Sequence, residues 1–343
     1  MSRTLHSISI AAFLIGGAAV ADVPVVAVDI APVHSLVARV MKDVGDPLLI
    51  VKAGASPHEY SLRPSEAAAL QDADLVFWMG EDLTPWMEDD LETLATNASI
   101  TSLLSAPETE LLDFREGALF EAHDHSNEEE HAEEEHGHEE HGHDEHGHDE
   151  HDKAEDAHDD HDDHAHEGHD HGAHDPHAWL SPNNAAAWLN LIAAQLSATD
   201  PDNAGTYFAN AAAARDELTD LRDEINGLLD PVRGRSFIVF HDAYQYFENA
   251  FDFPASGAIS LGDASDASPA RIATIQARVQ DEGVLCVLSE PQFNPGLVTT
   301  VLNGTDAKTS VVDPLGSTIE PGAELYSQLI RNLAISLSAC LSS

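Results

Sequence analysis

Lysine and arginine are scarce in this chain, with 15 such residues against 62 aspartates and glutamates, and the formal net charge at pH 7 is −47. Nucleic acids and anionic lipid headgroups are themselves negative, so a surface of this kind repels both and attracts cations. The composition therefore excludes nucleic-acid binding and favours a cationic ligand.

Long hydrophobic runs are missing beyond the first residues. No run after residue 21 reaches the ~18 apolar residues of a transmembrane helix. The shorter run at residues 8–21 follows Arg3 and ends in the tripeptide AVA, which is typical of a cleaved export signal. We expect residues 1–21 to be a signal peptide, cleaved near Ala21, and the mature protein to lie in the periplasm. No cysteine lies near the cleavage point, which excludes a lipid anchor on an N-terminal cysteine.

Only two cysteines occur, Cys286 in an apolar run and Cys340 close to the end of the sequence. In an oxidising compartment such a pair favours one disulfide, which would pin the C-terminal helix to the sheet. The bond would close a loop of about 54 residues and stabilise the fold by roughly 4 kcal/mol in the chain-entropy model. Two unpaired thiols, one of them buried, are the alternative.

Apolar runs with strand character alternate with helical patterns along both halves of the chain. This alternation predicts an α/β fold of two lobes, each with a parallel sheet flanked by helices. The length of 343 residues is also more than one compact core normally holds. The predicted strands are 23–30, 47–51, 74–80, 236–242, 284–290 and 309–316, and the predicted helices include 34–45, 66–73 and 324–341.

A long helical pattern separates the two halves. Apolar residues from Leu218 to Leu229 recur at steps of three and four, which marks one apolar face. We predict a rigid connecting helix at 203–230, about 40 Å long at 1.5 Å per residue. The N-terminal lobe would then be 22–202 and the C-terminal lobe 231–343. An ordinary long helix buried in one lobe is the alternative.

One segment of the first lobe is almost nothing but histidine, acid and glycine. Residues 123–174 contain 22 acids, 17 histidines and one base. Apart from scattered alanines the segment has nothing apolar to bury, so burial cannot offset the entropy of ordering it. We expect a disordered loop, called the His-rich tract here, with loose accessory zinc sites at His136, His138, His141, His143, His146 and His148.

Three other histidines stand in loops where ligands of α/β proteins bind. His58 lies in the loop after a predicted strand, His241 lies at the end of one, and His177 lies where the ordered chain resumes after the tract. In open α/β sheets ligands bind beyond the carboxyl ends of strands. Asp313 has the same kind of position, and Glu59 is beside His58. Taken singly each histidine is more often structural, but three imidazoles and a carboxylate together predict a four-coordinate zinc site in the cleft.

Five motifs occur along the mature chain: GASPHEYSLRPSE (54–66), WLSP (179–182), FIVFHDAYQYF (237–247), SEPQF (289–293) and DPLG (313–316). Together they resemble the zinc-binding components of bacterial high-affinity zinc ABC importers, the ZnuA type, within the metal-specific cluster of solute-binding proteins. The His-rich insertion and two cysteines placed like Cys286 and Cys340 are also marks of the zinc members.

The resemblance implies a zinc carrier without catalytic activity. His58, His177 and His241 would be the three imidazole ligands, and the fourth ligand would be Glu59, Asp313 or a water. His34 matches a position that is not a ligand. The carrier would act as a monomer, hand Zn²⁺ to a membrane permease and have a periplasmic zinc chaperone as a further partner. The connecting helix would limit closure of the lobes to small movements.

Two other functions remain open on the sequence. A secreted zinc hydrolase also uses three histidines and a water, but neither an H-E-x-x-H nor a G-x-S-x-G motif occurs. Manganese and iron carriers share the architecture, but they favour more oxygen ligands than this site offers. An adhesin lacks support because the sequence contains no surface-attachment signal.

Overall fold

The N-terminal half folds around a parallel sheet. Its strands are β1 (Val26–Val28), β2 (Leu48–Leu49), β3 (Leu75–Trp78) and β4 (Ser99–Ser102), in the order β2-β1-β3-β4. The central strands β1 and β3 are buried because helices cover both faces of the sheet, and their sequences VAV and LVFW fit that environment. The computed structural model describes residues 23–115, 117–120, 174–260, 262, 268–293 and 295–342.

Residues that favour the start of a helix lie at the N-termini of three helices in this half. α1 (Ala31–Val40) and α2 (Pro64–Asp72) each have proline in the first turn, where no backbone N–H is needed. The Ser181 hydroxyl caps α4 by accepting a hydrogen bond from the Asn184 N–H. The remaining helices of this part of the chain are α3 (Met87–Leu94), α4 (Pro182–Thr199) and the long α5 (Ala204–Leu229).

The C-terminal half repeats the same topology. Its strands are β5 (Phe237–His241), β6 (Ala258–Ser260), β7 (Cys286–Ser289) and β8 (Lys308–Val311), all parallel, in the order β6-β5-β7-β8. Its helices are α6 (Gln245–Phe251), α7 (Pro269–Asp281), α8 (Pro295–Leu302) and α9 (Leu325–Leu341). The prediction of an α/β fold with two parallel sheets is confirmed.

Helix α5 confirms the predicted long helix and contacts both halves. Its buried residues recur at steps of three and four along one face. On its surface Glu217 pairs with Arg39 of α1, and Glu224 pairs with Arg331 of α9 at 2.7 Å. These ion pairs join the helix to one neighbour from each half.

The hydrophobic core is shared between the halves. One cluster joins α5 to buried residues of β1 and β3 and equally to buried residues of β5 and β7. Two smaller clusters cover the opposite faces of the sheets, one in each half. The halves are therefore joined by packing as well as by the chain, and the lobe boundaries at residues 202 and 231 stay a prediction.

A disulfide between Cys286 and Cys340 confirms the predicted cysteine pairing. Cys286 lies on the buried strand β7 and Cys340 on the last turns of α9. The bond thus fixes the C-terminal helix α9 to the central strand β7 of the C-terminal sheet, as the sequence predicts.

Two predicted segments lie outside the described residues. They are the signal peptide at residues 1–21 and the His-rich tract except His174, including all six of its accessory histidines. Within the part of the chain that the structure describes, every helix is too short or too polar to cross a membrane.

Candidate metal centre

Three histidines from distant parts of the sequence line one pocket. The rings of His58 and His177 are 5.6 Å apart between centroids, and those of His177 and His241 are 5.2 Å apart. His58 comes from the N-terminal half and His241 from the C-terminal half, with His177 between them. Of the described residues, the pocket is lined by Pro57, His58, His177, Trp179, His241, Glu290, Gln292, Pro314 and Leu315.

The loop that carries His58 is held by hydrogen bonds on both sides of the histidine. The Trp86 indole N–H donates to the carbonyl of Pro57 at 2.7 Å. On the other side the buried Glu66 carboxylate accepts from the Arg63 N–H at 2.8 Å and from the Tyr60 hydroxyl at 3.0 Å. These bonds fix the half-buried His58 at the rim of the pocket, although the loop has little regular structure.

His177 is oriented by a carboxylate two residues earlier in the chain. Its Nδ1 lies 2.7 Å from Oδ1 of Asp175, and the same oxygen accepts the His177 backbone N–H at 3.0 Å. Asp175 is 1% exposed. A carboxylate can only accept, so this contact places the proton on Nδ1 and makes Nε2 the nitrogen whose lone pair could bind a metal.

His241 is held in the same way by a residue that sequence reasoning missed. It ends strand β5, and its Nδ1 lies 2.6 Å from Oε1 of Glu290, which directly follows β7. Glu290 is 4% exposed. Asp175 was missed as well, although the D-x-H spacing is a local signal for such a contact. For Glu290 the local signal is its position at the end of the predicted strand 284–290, within the motif SEPQF.

Neither carboxylate predicted as a fourth ligand lies among the residues that line the pocket. Glu59 is exposed. Both oxygens of Asp313 are engaged within its own loop: they accept from the N–H groups of Leu315 and Gly316 at 3.0 Å, and from the N–H and hydroxyl of Ser317 at 2.6 Å. Asp313 therefore shapes the loop that lines the pocket with Pro314 and Leu315.

His34 lies away from the pocket, in line with a structural role. It is buried on α1, and its Nε2 donates to the carbonyl of Pro47 at 3.0 Å. Burial lowers the pKa of its imidazole, which favours the neutral ring. It is therefore a useful reference for the histidines of the pocket.

The donor set suits zinc, and the spacing of the rings is close to what zinc requires. Imidazoles around one tetrahedral Zn²⁺ have ring centroids about 5 Å apart, given Zn–N bonds of ~2.0–2.1 Å. As placed, no group of three histidine, cysteine, aspartate or glutamate residues within the described ranges converges on one point tightly enough to hold a metal ion. The two centroid distances of 5.6 and 5.2 Å are near this value, and binding of an ion requires the side chains to rearrange from these positions.

Glu290 offers a graded test of ring orientation. Glu290→Ala is expected to weaken metal binding by about 10- to 100-fold, because His241 loses the acceptor that fixes its tautomer. Glu290→Gln keeps an oxygen acceptor and should lose less. Titration of both variants with Zn²⁺ checks this order; equal affinity for wild type and Glu290→Ala would contradict the role of the carboxylate.

Comparisons of the sequence with known proteins identify one family. The family described as zinc-uptake complex component A, periplasmic (ZnuA), matches residues 26–340. A high-affinity zinc uptake system protein ZnuA from Brucella suis biovar 1 is 46% identical over 99% of both chains, and that of Paracoccus denitrificans is 42% identical over 94% of this chain and 93% of its own. A crystal structure of ZnuA has a TM-score of 0.69 at 20% identity, covering 93% of this chain and 100% of that one. A zinc-bound ZnuA deletion mutant reaches 0.68 at 20% identity, covering 94% and 99%. These two structures share the fold.

Proposed function

Because this chain belongs to the ZnuA family of periplasmic zinc-uptake components, we propose that it captures Zn²⁺ in the periplasm and delivers it to the permease of an ABC importer. The observation that carries the proposal is the pocket in which His58, His177 and His241 meet. The two rings held by buried carboxylates present Nε2 to a metal, and the donor set is that of a zinc site. Binding and release, without catalysis, are all that this function requires.

The ligands of the ion are the three imidazoles, with a water in the fourth position. The exposed position of Glu59 and the hydrogen bonds of Asp313 within its own loop both support a water over a carboxylate. A site of three neutral nitrogens and a water prefers zinc to manganese, since manganese favours oxygen ligands. Protonation competes with the metal for the same nitrogens, so acid weakens binding.

The fourth position can be tested at Glu59. Glu59→Ala is expected to change zinc affinity by less than about threefold, as for a surface substitution away from the site. Calorimetric titration of this variant beside wild type measures the change. A loss of tenfold or more would identify Glu59 as a ligand that reaches the ion after a change of rotamer.

The protein works as a monomer that can receive zinc from a periplasmic chaperone. Its His-rich tract acts as an accessory that binds additional zinc weakly. The carboxylates of the tract raise the local cation concentration around the tract itself, since the segment has a strong negative charge. The lining residues that the structure describes all lie outside the tract, which supports a pocket that binds zinc without it.

Deletion of residues 123–173 tests the proposed function. One tight zinc site should survive with unchanged affinity, and only the weaker binding should disappear; calorimetry of the full chain and the deletion variant measures both. Competition with Mn²⁺ in the same experiment should leave the tight site filled with zinc. Loss of all tight binding on deletion would overturn the assignment of the site to the pocket.

A further inference from the structure

Residues 111–115 and 117–120, called the segment here, contact both the chain beside His177 and the C-terminal half. The segment follows β4, and Leu112 accepts a hydrogen bond from the Asp175 N–H at 2.8 Å. Farther along, the Ala118 carbonyl accepts from the Ala258 N–H at 3.1 Å, at the edge strand β6. The segment thus runs from the N-terminal sheet to the edge of the C-terminal sheet, past the elements that carry His177 and His241.

Arg115, in the middle of this segment, binds two buried carboxylates of the C-terminal half. Its guanidinium donates to Asp242 through Nε at 3.1 Å and through Nη2, and to Glu248 through Nη1 at 2.6 Å and Nη2 at 3.0 Å. The side chains of Asp242 and Glu248 are 3% and 4% exposed. Such forked contacts are among the stronger and more directional ion pairs in proteins, and Arg115 also stacks on the ring of Phe120, 3.6 Å from its centroid.

Both carboxylates belong to elements next to the pocket. Asp242 is the residue after His241, and Glu248 lies on α6. On the same helix the Tyr246 hydroxyl accepts the Leu112 N–H at 3.0 Å and donates to the Asp175 carbonyl at 2.9 Å. The contacts of this segment therefore reach the backbone beside two of the three histidines.

We infer that Arg115 is a positioning residue for the proposed zinc site, which it serves by fixing Asp242, and through it His241, against a segment of the other half. The inference rests on the proposed function. Without the guanidinium, the two buried carboxylates lose the cation that is hydrogen-bonded to both of them, and such a pair separates or draws in water. The strand end that carries His241 then moves away from His177, and the site loses its geometry without losing a ligand.

The test uses the full chain and compares Arg115→Gln with Arg115→Lys. Arg115→Gln should bind zinc about 10- to 100-fold more weakly, the range seen when the outer support of a ligand is lost. Arg115→Lys keeps the positive charge but loses the forked hydrogen bonds. Its zinc affinity should therefore lie between that of Arg115→Gln and that of wild type. The weakening should appear mainly as faster release of zinc to a chelator in stopped flow, because the site is held less firmly once formed.

A control variant tests whether the loss of any arginine–carboxylate pair weakens zinc binding. Arg39 also forms a forked pair with a carboxylate, Glu217, and the two arginine side chains are almost equally exposed, at 15% and 16%. Arg39→Gln should leave zinc affinity unchanged. The absorption bands of one equivalent of Co²⁺, which report ligand geometry, should shift in Arg115→Gln and stay as in wild type in Arg39→Gln.

The outcomes distinguish this inference from the proposed function. Wild type without a tight zinc site would overturn both. A wild-type site that Arg115→Gln and Arg115→Lys leave unchanged in affinity, release rate and Co²⁺ spectrum would overturn the inference alone. If Arg115→Gln fails to fold, Arg115→Lys carries the test by itself, with a lower affinity and a shifted Co²⁺ spectrum expected.

Discussion

Replacing His177 by alanine is expected to weaken zinc binding in the pocket by roughly 100-fold or more. His177 lies between the other two rings, 5.6 Å from His58 and 5.2 Å from His241. Zinc held by four protein ligands is bound with ~10–16 kcal/mol, so one imidazole contributes about 3 kcal/mol, and each 1.4 kcal/mol corresponds to a factor of about ten. Competition titration with a chelator of known affinity measures the loss, best in the variant that lacks residues 123–173.

The control for His177→Ala is His34→Gln. His34 is also buried and hydrogen-bonded, but its contact is the carbonyl of Pro47, away from the pocket. Glutamine keeps a donor for that carbonyl, so zinc affinity should remain at the wild-type value. Equal affinities for wild type, His177→Ala and His34→Gln would show that the pocket is not the working site.

Removal of the disulfide should lower the free energy of unfolding more than any of the single substitutions at the pocket does. In the double variant Cys286→Ala, Cys340→Ala the unfolded chain gains the freedom of a loop of 54 residues, which destabilises the fold by about 4 kcal/mol. The melting temperature should fall on the order of 10 °C. Zinc affinity of the folded protein should be unchanged, since neither cysteine lines the pocket.

Scanning calorimetry of the metal-free proteins checks this loss, and reduced wild type provides the comparison. Reduced wild type and the double variant should melt at similar temperatures, since both lack the bond. If the oxidised wild type melted no higher than either of them, the contribution of the bond would be refuted. A strong loss of zinc affinity in the double variant would show that the bond also supports the pocket.

The sequence predicts the strands that carry strong apolar patterns and the edge strands β2 and β8, but not the edge strands β4 and β6. β1, β3, β5 and β7 are buried between helices, and their apolar sequences show it. β4 reads Ser-Ile-Thr-Ser with an exposed or half-buried pattern, and β6 has only three residues. Such strands form because a neighbouring strand offers backbone partners, which is a property of the tertiary fold.

The sequence predicts the three histidines that line the pocket, but not the carboxylates that orient two of them. Strand ends and family motifs point to the imidazoles, because these signals are local. The pairing of His241 with Glu290 joins residues 49 positions apart, and no local pattern specifies it. Arg115 is a similar case, since its carboxylate partners lie more than 120 residues away.

The shared core on both sides of α5 affects how a membrane partner could distinguish a loaded molecule from an empty one. Moving the halves widely apart would expose buried side chains of that core, at about 1.5–3 kcal/mol for each large apolar residue. The shared core therefore opposes a wide opening of the two halves. Zinc bound at the proposed site, however, adds two positive charges to a strongly acidic protein. The difference that a receptor can read is thus an electrostatic one, and recognition of the loaded state should weaken as salt screens that charge.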